Sequence, residues 1–162
     1  MKKLFLLFTV VAATILSCSK DDNPTSTGEK KMSLKVTYIG NTANFIETIS
    51  VQVAGENVES TNVSGLQWDN EQIVRGRTAV IYPRSGSIQS STVNLETSTP
   101  IMAMTVAALY SKVKEDTDGP LGVIFEWYVD GKLVKTDDVA FYGDTAQEAY
   151  NVTVGSSGET LR

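Results

Sequence analysis

The sequence contains no histidine, and its 162 residues include a single cysteine, Cys18. The missing histidine excludes Ser-His-Asp and Cys-His catalytic groups and histidine-ligated zinc. A lone cysteine excludes an intramolecular disulfide. No Ser/Lys dyad or carboxylate pair stands in a recognisable catalytic motif, so we expect no catalytic residues, no metal site and no enzymatic activity.

Clusters of basic residues are also missing after the N-terminus, where Lys30-Lys31 is the densest pair. The formal net charge is −5. A nucleic-acid-binding protein needs clustered lysine and arginine to displace counterions from phosphates, so we expect no nucleic-acid partner.

Only one long apolar run is present, from Leu4 to Leu16, and it follows Lys2 and Lys3. A membrane-spanning helix needs about 20 apolar residues, which is more than this run supplies. A basic start followed by a short apolar stretch is typical of an export signal, so we predict a signal peptide over residues 1–17 that is removed.

The sequence Ile15-Leu16-Ser17-Cys18 resembles the lipobox of bacterial lipoproteins, with Ile15 where leucine is more usual. The resemblance implies a thiol-linked diacylglycerol and N-acylation at Cys18, which together hold a protein firmly on a membrane. The alternative is an ordinary signal peptide followed by a chance cysteine.

The five residues Cys18, Ser19, Lys20, Asp21 and Asp22 are similar to the signal that sends lipoproteins of Bacteroidota to the cell surface. This resemblance implies an outer-membrane protein that is anchored by lipid and faces the exterior. The alternatives are an outer-membrane lipoprotein that faces inward and a charged, solvated tether.

Composition divides the chain into four parts. Residues 1–17 are the signal peptide and residues 18–31 a polar, lipidated tether, which has nothing apolar to bury after Cys18. Residues 32–155 have the length of one domain, and residues 156–162 are expected to form a frayed tail.

Alternating apolar and polar residues from Leu34 onward predict strands with one buried face. Turn residues recur at intervals of about ten residues, which favours an all-β immunoglobulin-like antiparallel sandwich of about seven to nine strands. One turn, Gly55-Glu56-Asn57, predicts a hairpin after the strand that contains Ile49 and Val53.

The clearest local signal lies between Gly122 and Lys135. Val123, Phe125, Trp127 and Val129 share one face, and Asp130-Gly131 has the composition of a two-residue hairpin turn. Residues 99–114 fit two structures, because their apolar residues also match one face of a helix that starts at Pro100. We favour a strand there.

The stretch from Leu109 to Val154 is similar to the C-terminal half of small sandwich lipoproteins related to the MmpS-like family. The similarity is carried by Val129-Asp130-Gly131-Lys132-Leu133-Val134 and by Phe141-Tyr142-Gly143. It implies the fold and no reaction.

Three features are candidates for binding or modification. Trp68 is placed to contact a sugar or protein if it lies at a loop tip, but core or hinge packing is the preferred interpretation. Asp144-Thr145-Ala146 resembles the O-glycosylation motif of Bacteroidota, with Thr145 as the acceptor, but it also fits a turn. Carboxylates at residues 115–118 and 137–138 suit Ca²⁺, yet they lack EF-hand spacing, so solvated loop charge is the preferred interpretation and no cofactor is expected.

These observations predict a non-enzymatic, lipid-anchored binding or structural module that contacts protein or glycan through loops or an edge strand. The alternative is an accessory solute-binding or glycan-binding lipoprotein of an outer-membrane nutrient-uptake complex.

Overall fold

The computed structural model describes residues 28–161 except 57, 66–72, 114–118 and 143–147. In these residues the chain forms eleven strands and two single-turn 3₁₀ helices, Thr42–Asn44 and Val58–Ser60. The strands are β1 (Met32–Gly40), β2 (Phe45–Ala54), β3 (Val63–Ser64), β4 (Val74–Arg75), β5 (Ala79–Ser87), β6 (Thr92–Thr97), β7 (Ala103–Lys112), β8 (Leu121–Val129), β9 (Lys132–Phe141), β10 (Glu148–Gly155) and β11 (Thr160–Leu161). The described part of the chain contains no helix long and apolar enough to cross a membrane.

The strands form two antiparallel sheets that pack as a sandwich. The five-stranded sheet has the order β3-β6-β1-β8-β9, and the six-stranded sheet has the order β11-β10-β7-β2-β5-β4. Eight strands are six residues or longer, and β3, β4 and β11 are two-residue pieces at sheet edges. The all-β sandwich predicted from residue alternation is confirmed.

The core lies between the sheets because each long strand turns one set of alternate residues inward. On β1, Met32, Leu34, Val36 and Tyr38 are buried, and Trp127 on β8 is the largest fully buried side chain among the described residues. The Trp127 indole N–H donates to the Tyr150 hydroxyl at 3.1 Å. The Phe125 and Tyr150 rings stack with centroids 3.8 Å apart.

The hairpin of β8 and β9 is present as predicted. Asp130 and Gly131 both have positive φ, 47° and 74°, which only such turn residues tolerate well. Residues 103–112 form strand β7 and not a helix. This strand pairs with β2 on one side and β10 on the other, so its local helical pattern is overridden by two neighbours.

Three sequence predictions are wrong in detail. No hairpin forms at Gly55, because β2 pairs with β5 and β7, both distant in sequence. The tail predicted over 156–162 folds back as far as Leu161, with Ser156 buried and β11 paired with β10. The tether predicted over 18–31 overlaps the domain, because Lys30 makes a β-bridge with Ile101.

Candidate functional site

A cleft of about 420 Å³ opens between the two sheets at one end of the sandwich. Strands β1, β2, β5 and β6 and the β5–β6 connection supply its walls. Its described lining residues include Tyr38, Glu47, Arg84, Ile88, Thr92 and Val93. Its volume lies within the range of sites for small molecules, about 300–1,000 Å³.

Glu47 is the central polar group of the cleft. It occupies an inward position of β2, between the buried Phe45 and Ile49, and it is 6 % exposed. Its Oε1 accepts hydrogen bonds from the Tyr38 hydroxyl at 2.5 Å and the Tyr110 hydroxyl at 2.9 Å. One carboxylate oxygen therefore satisfies two buried phenols from opposite sheets.

Burial raises the pKa of the Glu47 carboxyl above its ordinary value. The hydrogen bonds from Tyr38 and Tyr110 and the charge of Arg84 act in the opposite direction but do not cancel it. Burial also raises the pKa of Tyr38 and of Tyr110, so both phenols remain protonated donors at neutral pH.

Arg84 brings a positive charge to the same cleft. It pairs in register with Ile49 on β2, whose side chain is buried, so Arg84 lies on the inward side of β5. The cleft therefore combines a carboxylate and a guanidinium, while Ile88 and Val93 supply apolar area.

This set of groups offers a ligand both a hydrogen-bond acceptor and a donor. A carboxylate accepts and a guanidinium donates hydrogen bonds, which is what neighbouring ligand hydroxyls require. Glycoside hydrolysis needs two carboxyl groups across the scissile bond, and Glu47 is the one carboxyl among the described lining residues.

The cleft lies away from the point where the chain enters the sandwich. Lys30 and Lys31 contact Ile101 and Asp130, which lie at the end where β1 begins. Tyr38 lies six residues after Met32, the first residue of β1. In an extended strand this is a distance of about 20 Å. The cleft thus lies at the end of the sandwich opposite to Lys30.

Three solved structures share this fold. They are a DUF4425 family protein from Bacteroides ovatus (18% identity, 78% of this chain and 96% of that chain, TM-score 0.57), a DUF4425 domain of unknown function from Bacteroides vulgatus (18%, 78% and 96%, TM-score 0.55) and the calcium-bound form of a protein from Parabacteroides distasonis (17%, 82% and 100%, TM-score 0.50). No family model and no curated protein matches the chain. At this identity the likeness shows the fold.

A second polar network lies on the edge strand β9 and makes pairing with a further strand unfavourable. Tyr150 donates from its hydroxyl to Asp137 Oδ2 at 2.6 Å, and Lys135 Nζ lies 2.5 Å from Asp137 Oδ1. Lys135 pairs with Trp127, so these charges stand on the inward side of β9. Inward-pointing charges and a register irregularity at Trp127/Tyr128 discourage strand addition at an edge, so β9 is poorly suited to docking.

The residues singled out from the sequence lie outside the described residues. These are Cys18, Ser19, Lys20, Asp21, Asp22, Trp68 and Thr145. The same holds for the carboxylates at 115–118. Among the described residues there is no group of three or more side chains that could hold a metal ion. The anchoring, modification and contact hypotheses therefore stay predictions.

Sequence reasoning missed the cleft. The alternation noted at Ile49, Val51 and Val53 extends back to Glu47 and Phe45 with the same parity. A carboxylate at an inward strand position is a signal, because buried charges are rarely kept without a partner. Arg84 shows the same parity with Val80 and Tyr82 on β5.

Proposed function

We propose that this chain is a non-enzymatic binding module, anchored by lipid at Cys18 on the exterior of the outer membrane, that holds a hydroxyl-rich ligand such as a glycan in the cleft around Glu47. The cleft carries the binding part of this proposal, because it combines an acceptor and a donor in a volume suited to a small ligand. The sequence Ser17-Cys18 carries the anchoring part.

The position of the cleft supports the two parts together. A lipid on Cys18 holds the end of the sandwich where Lys30 pairs with Ile101. The cleft then points away from the membrane, where an extracellular ligand can reach it. The second candidate function, an accessory protein of a nutrient-uptake complex, would use the same cleft. The volume of the cleft favours this candidate over a purely structural role.

Calcium is not part of the proposal. One structural neighbour is a calcium-bound protein. Of the carboxylates that the sequence analysis assigned to loops, Asp137 and Asp138 lie instead on strand β9, where Asp137 forms a salt bridge with Lys135. Solvated loop charge remains the preferred interpretation of the carboxylates at 115–118.

Replacing Cys18 by alanine is expected to move the protein from the membrane fraction to the soluble fraction of the cell envelope, because the acyl chains supply the membrane affinity. The measurement is fractionation followed by immunoblotting, with mass spectrometry of the wild-type N-terminus. Ser19→Ala is the matched control and should leave fractionation unchanged. A mutant that stays with the membrane contradicts lipid anchoring.

Arg84→Ala is expected to weaken glycan binding about tenfold or more, since a hydrogen bond from a charged group contributes about 1.5–3 kcal/mol. Glycan-array screening of the full chain selects a short neutral oligosaccharide, and calorimetry with calcium and with EDTA gives the affinities. Lys35→Ala, on the outer face of the five-stranded sheet, is the control. Trp68→Ala tests the sequence-based contact in the same assay.

Equal affinities for wild type and Arg84→Ala would remove the cleft from the proposal. Binding that requires calcium and is abolished by EDTA would replace the interpretation of the loop carboxylates as solvated charge. Binding of a protein partner that is insensitive to both Arg84→Ala and Trp68→Ala would favour a protein-contact module instead.

A further inference from the structure

The outer face of the six-stranded sheet carries no charged side chain at the outward positions of its four long strands, all of which are described. Their inward partners form the core, so the outward set follows from the register. The outward residues are Ile46, Thr48, Ser50, Gln52 and Ala54 on β2; Ala79, Ile81, Pro83, Ser85 and Ser87 on β5; Ala103, Thr105, Ala107, Leu109 and Ser111 on β7; and Ala149, Asn151, Thr153 and Gly155 on β10. We call this surface the uncharged face.

The opposite side of the sandwich is different. The outer face of the five-stranded sheet carries Lys35, Glu96, Glu126 and Asp138 at outward positions of neighbouring strands. Lys35 Nζ and Glu126 Oε2 form a salt bridge of 2.7 Å there. Charged residues make up one-fifth of the whole chain. The uncharged face therefore lacks charge because of where these residues are placed, and not because the chain contains few of them.

Four hydroxyls of the uncharged face are paired within it. Thr48 Oγ1 and Ser85 Oγ lie 2.8 Å apart, and so do Thr105 Oγ1 and Thr153 Oγ1. Ser50 and Thr105 are 9 % and 7 % exposed although they point outward. Covering a hydroxyl that keeps a hydrogen-bond partner costs much less than covering an unpaired one, so these four hydroxyls add little to the cost of burying the face.

We propose that two copies of this chain pack against each other through their uncharged faces. Each copy is net negative, so most surfaces of two copies repel one another. The uncharged face brings no like charges together in a symmetric pair, and depletion of charge is the compositional mark of the centre of an interface. A second copy is therefore the partner that fits it, in a twofold arrangement in which the same residues meet from both sides.

The size of the face is sufficient for such a pair. Four strands about 4.8 Å apart and about nine residues long cover about 600 Å² on each copy. Specific interfaces bury about 1,200–2,000 Å² in total, so the pair lies at the lower limit. This step rests on the proposed lipid anchor at Cys18: two copies held on one membrane would meet at a raised effective concentration, which compensates for a small interface.

The direction of the strands agrees with a shared anchoring surface. Aligned packing of two sheets about a twofold axis along the strands places Lys30 of both copies at the same end of the pair. Both chains then enter from one side, and both clefts open at the other.

The test is cross-linking of the full chain in intact bacterial cells. Ala107→Cys places a thiol in the middle of the uncharged face, and Thr37→Cys places one on the opposite face. Facing sheets stand about 10 Å apart, beyond the reach of a direct disulfide, so a short bis-maleimide is the linker. We expect a dimer band for Ala107→Cys that is about tenfold stronger than for Thr37→Cys or for wild type, as for a specific contact against random collision.

A charge introduced into the face should abolish the contact. Leu109→Glu in the Ala107→Cys protein is expected to reduce the dimer band about tenfold, because two buried like charges would meet in the pair. Ile124→Glu, on the opposite face, is the matched control and should leave the band unchanged. Export and folding of all variants are checked by surface proteolysis.

No dimer band for Ala107→Cys, a band of equal strength for Thr37→Cys, or a band that survives Leu109→Glu each overturns the proposal. Capture of a glycan by the uncharged face with no cross-linked dimer also overturns it, and assigns the face to that ligand. If Arg84→Ala loses glycan binding but still gives the dimer band in the Ala107→Cys protein, the result supports the dimer, because the uncharged face then acts independently of the cleft.

Discussion

Trp127→Ala is expected to lower the free energy of unfolding by about 3–5 kcal/mol, the usual cost of truncating a buried tryptophan. Trp127 is fully buried at the centre of β8, and its loss leaves a cavity between the sheets. It also removes the indole donor to the Tyr150 hydroxyl. Denaturant unfolding followed by circular dichroism measures the difference, which should appear in the midpoint and not in the slope.

Two variants separate packing from hydrogen bonding at this position. Trp127→Phe keeps an aromatic ring and removes the N–H, so its cost should be well below that of alanine. Tyr128→Ala, the next residue and on the outer face of β8, should cost about 1 kcal/mol or less, as for most surface changes. Similar losses at Trp127 and Tyr128 would contradict the placement of Trp127 in the core.

Glu47→Ala is expected to destabilise the fold by about 2 kcal/mol, because it leaves the Tyr38 and Tyr110 hydroxyls without their shared acceptor. Solvent in the adjoining cleft limits the cost to less than that of two fully orphaned groups. Glu47→Gln keeps an acceptor oxygen for the phenols and removes the charge. Thermal unfolding of the three proteins at several pH values makes the comparison.

The pH dependence follows from the raised pKa of Glu47. Because the folded state disfavours the ionised carboxyl, the contribution of Glu47 to stability is largest below its unfolded pKa and is lost as the pH rises through the folded pKa. Glu47→Gln should therefore gain stability relative to wild type as the pH rises, and lose that advantage in acid. A difference that is constant with pH, or that has the opposite sign, would show that Glu47 is not disfavoured in its ionised form.

The local elements were the part of this fold that the sequence predicts well. Asp130-Gly131 fixes a turn by its own backbone preferences, and the alternation around Trp127 identifies the inward face without reference to any other strand. The same reasoning failed at Gly55, where turn residues follow β2 but the partners of β2 are set by contacts with distant β5 and β7. Local composition does not contain that pairing.

The candidate site shows the same limit. Glu47, Tyr38 and Tyr110 come together from three strands, two of them in one sheet and the third in the other. The alternation of residues along each strand places each of these side chains inward. Only the pairing register between the strands brings the hydroxyls of Tyr38 and Tyr110 to the carboxylate of Glu47. Residues that stand in short sequence motifs, such as Cys18 and Thr145, were easier to single out because a motif needs no tertiary contact.

The pairing of β1 with β8 has a consequence for how the protein is made. Leu34 finds its partner Trp127 only after most of the chain has been synthesised, and β1 has no partner nearer in sequence than β6. Closing such distant contacts is slow, so β1 cannot be paired in the sandwich until its distant partners β6 and β8 have been synthesised. A sandwich in which the first long strand pairs with a late one therefore suits the proposed export, because a domain that folded earlier could not cross the membrane unfolded.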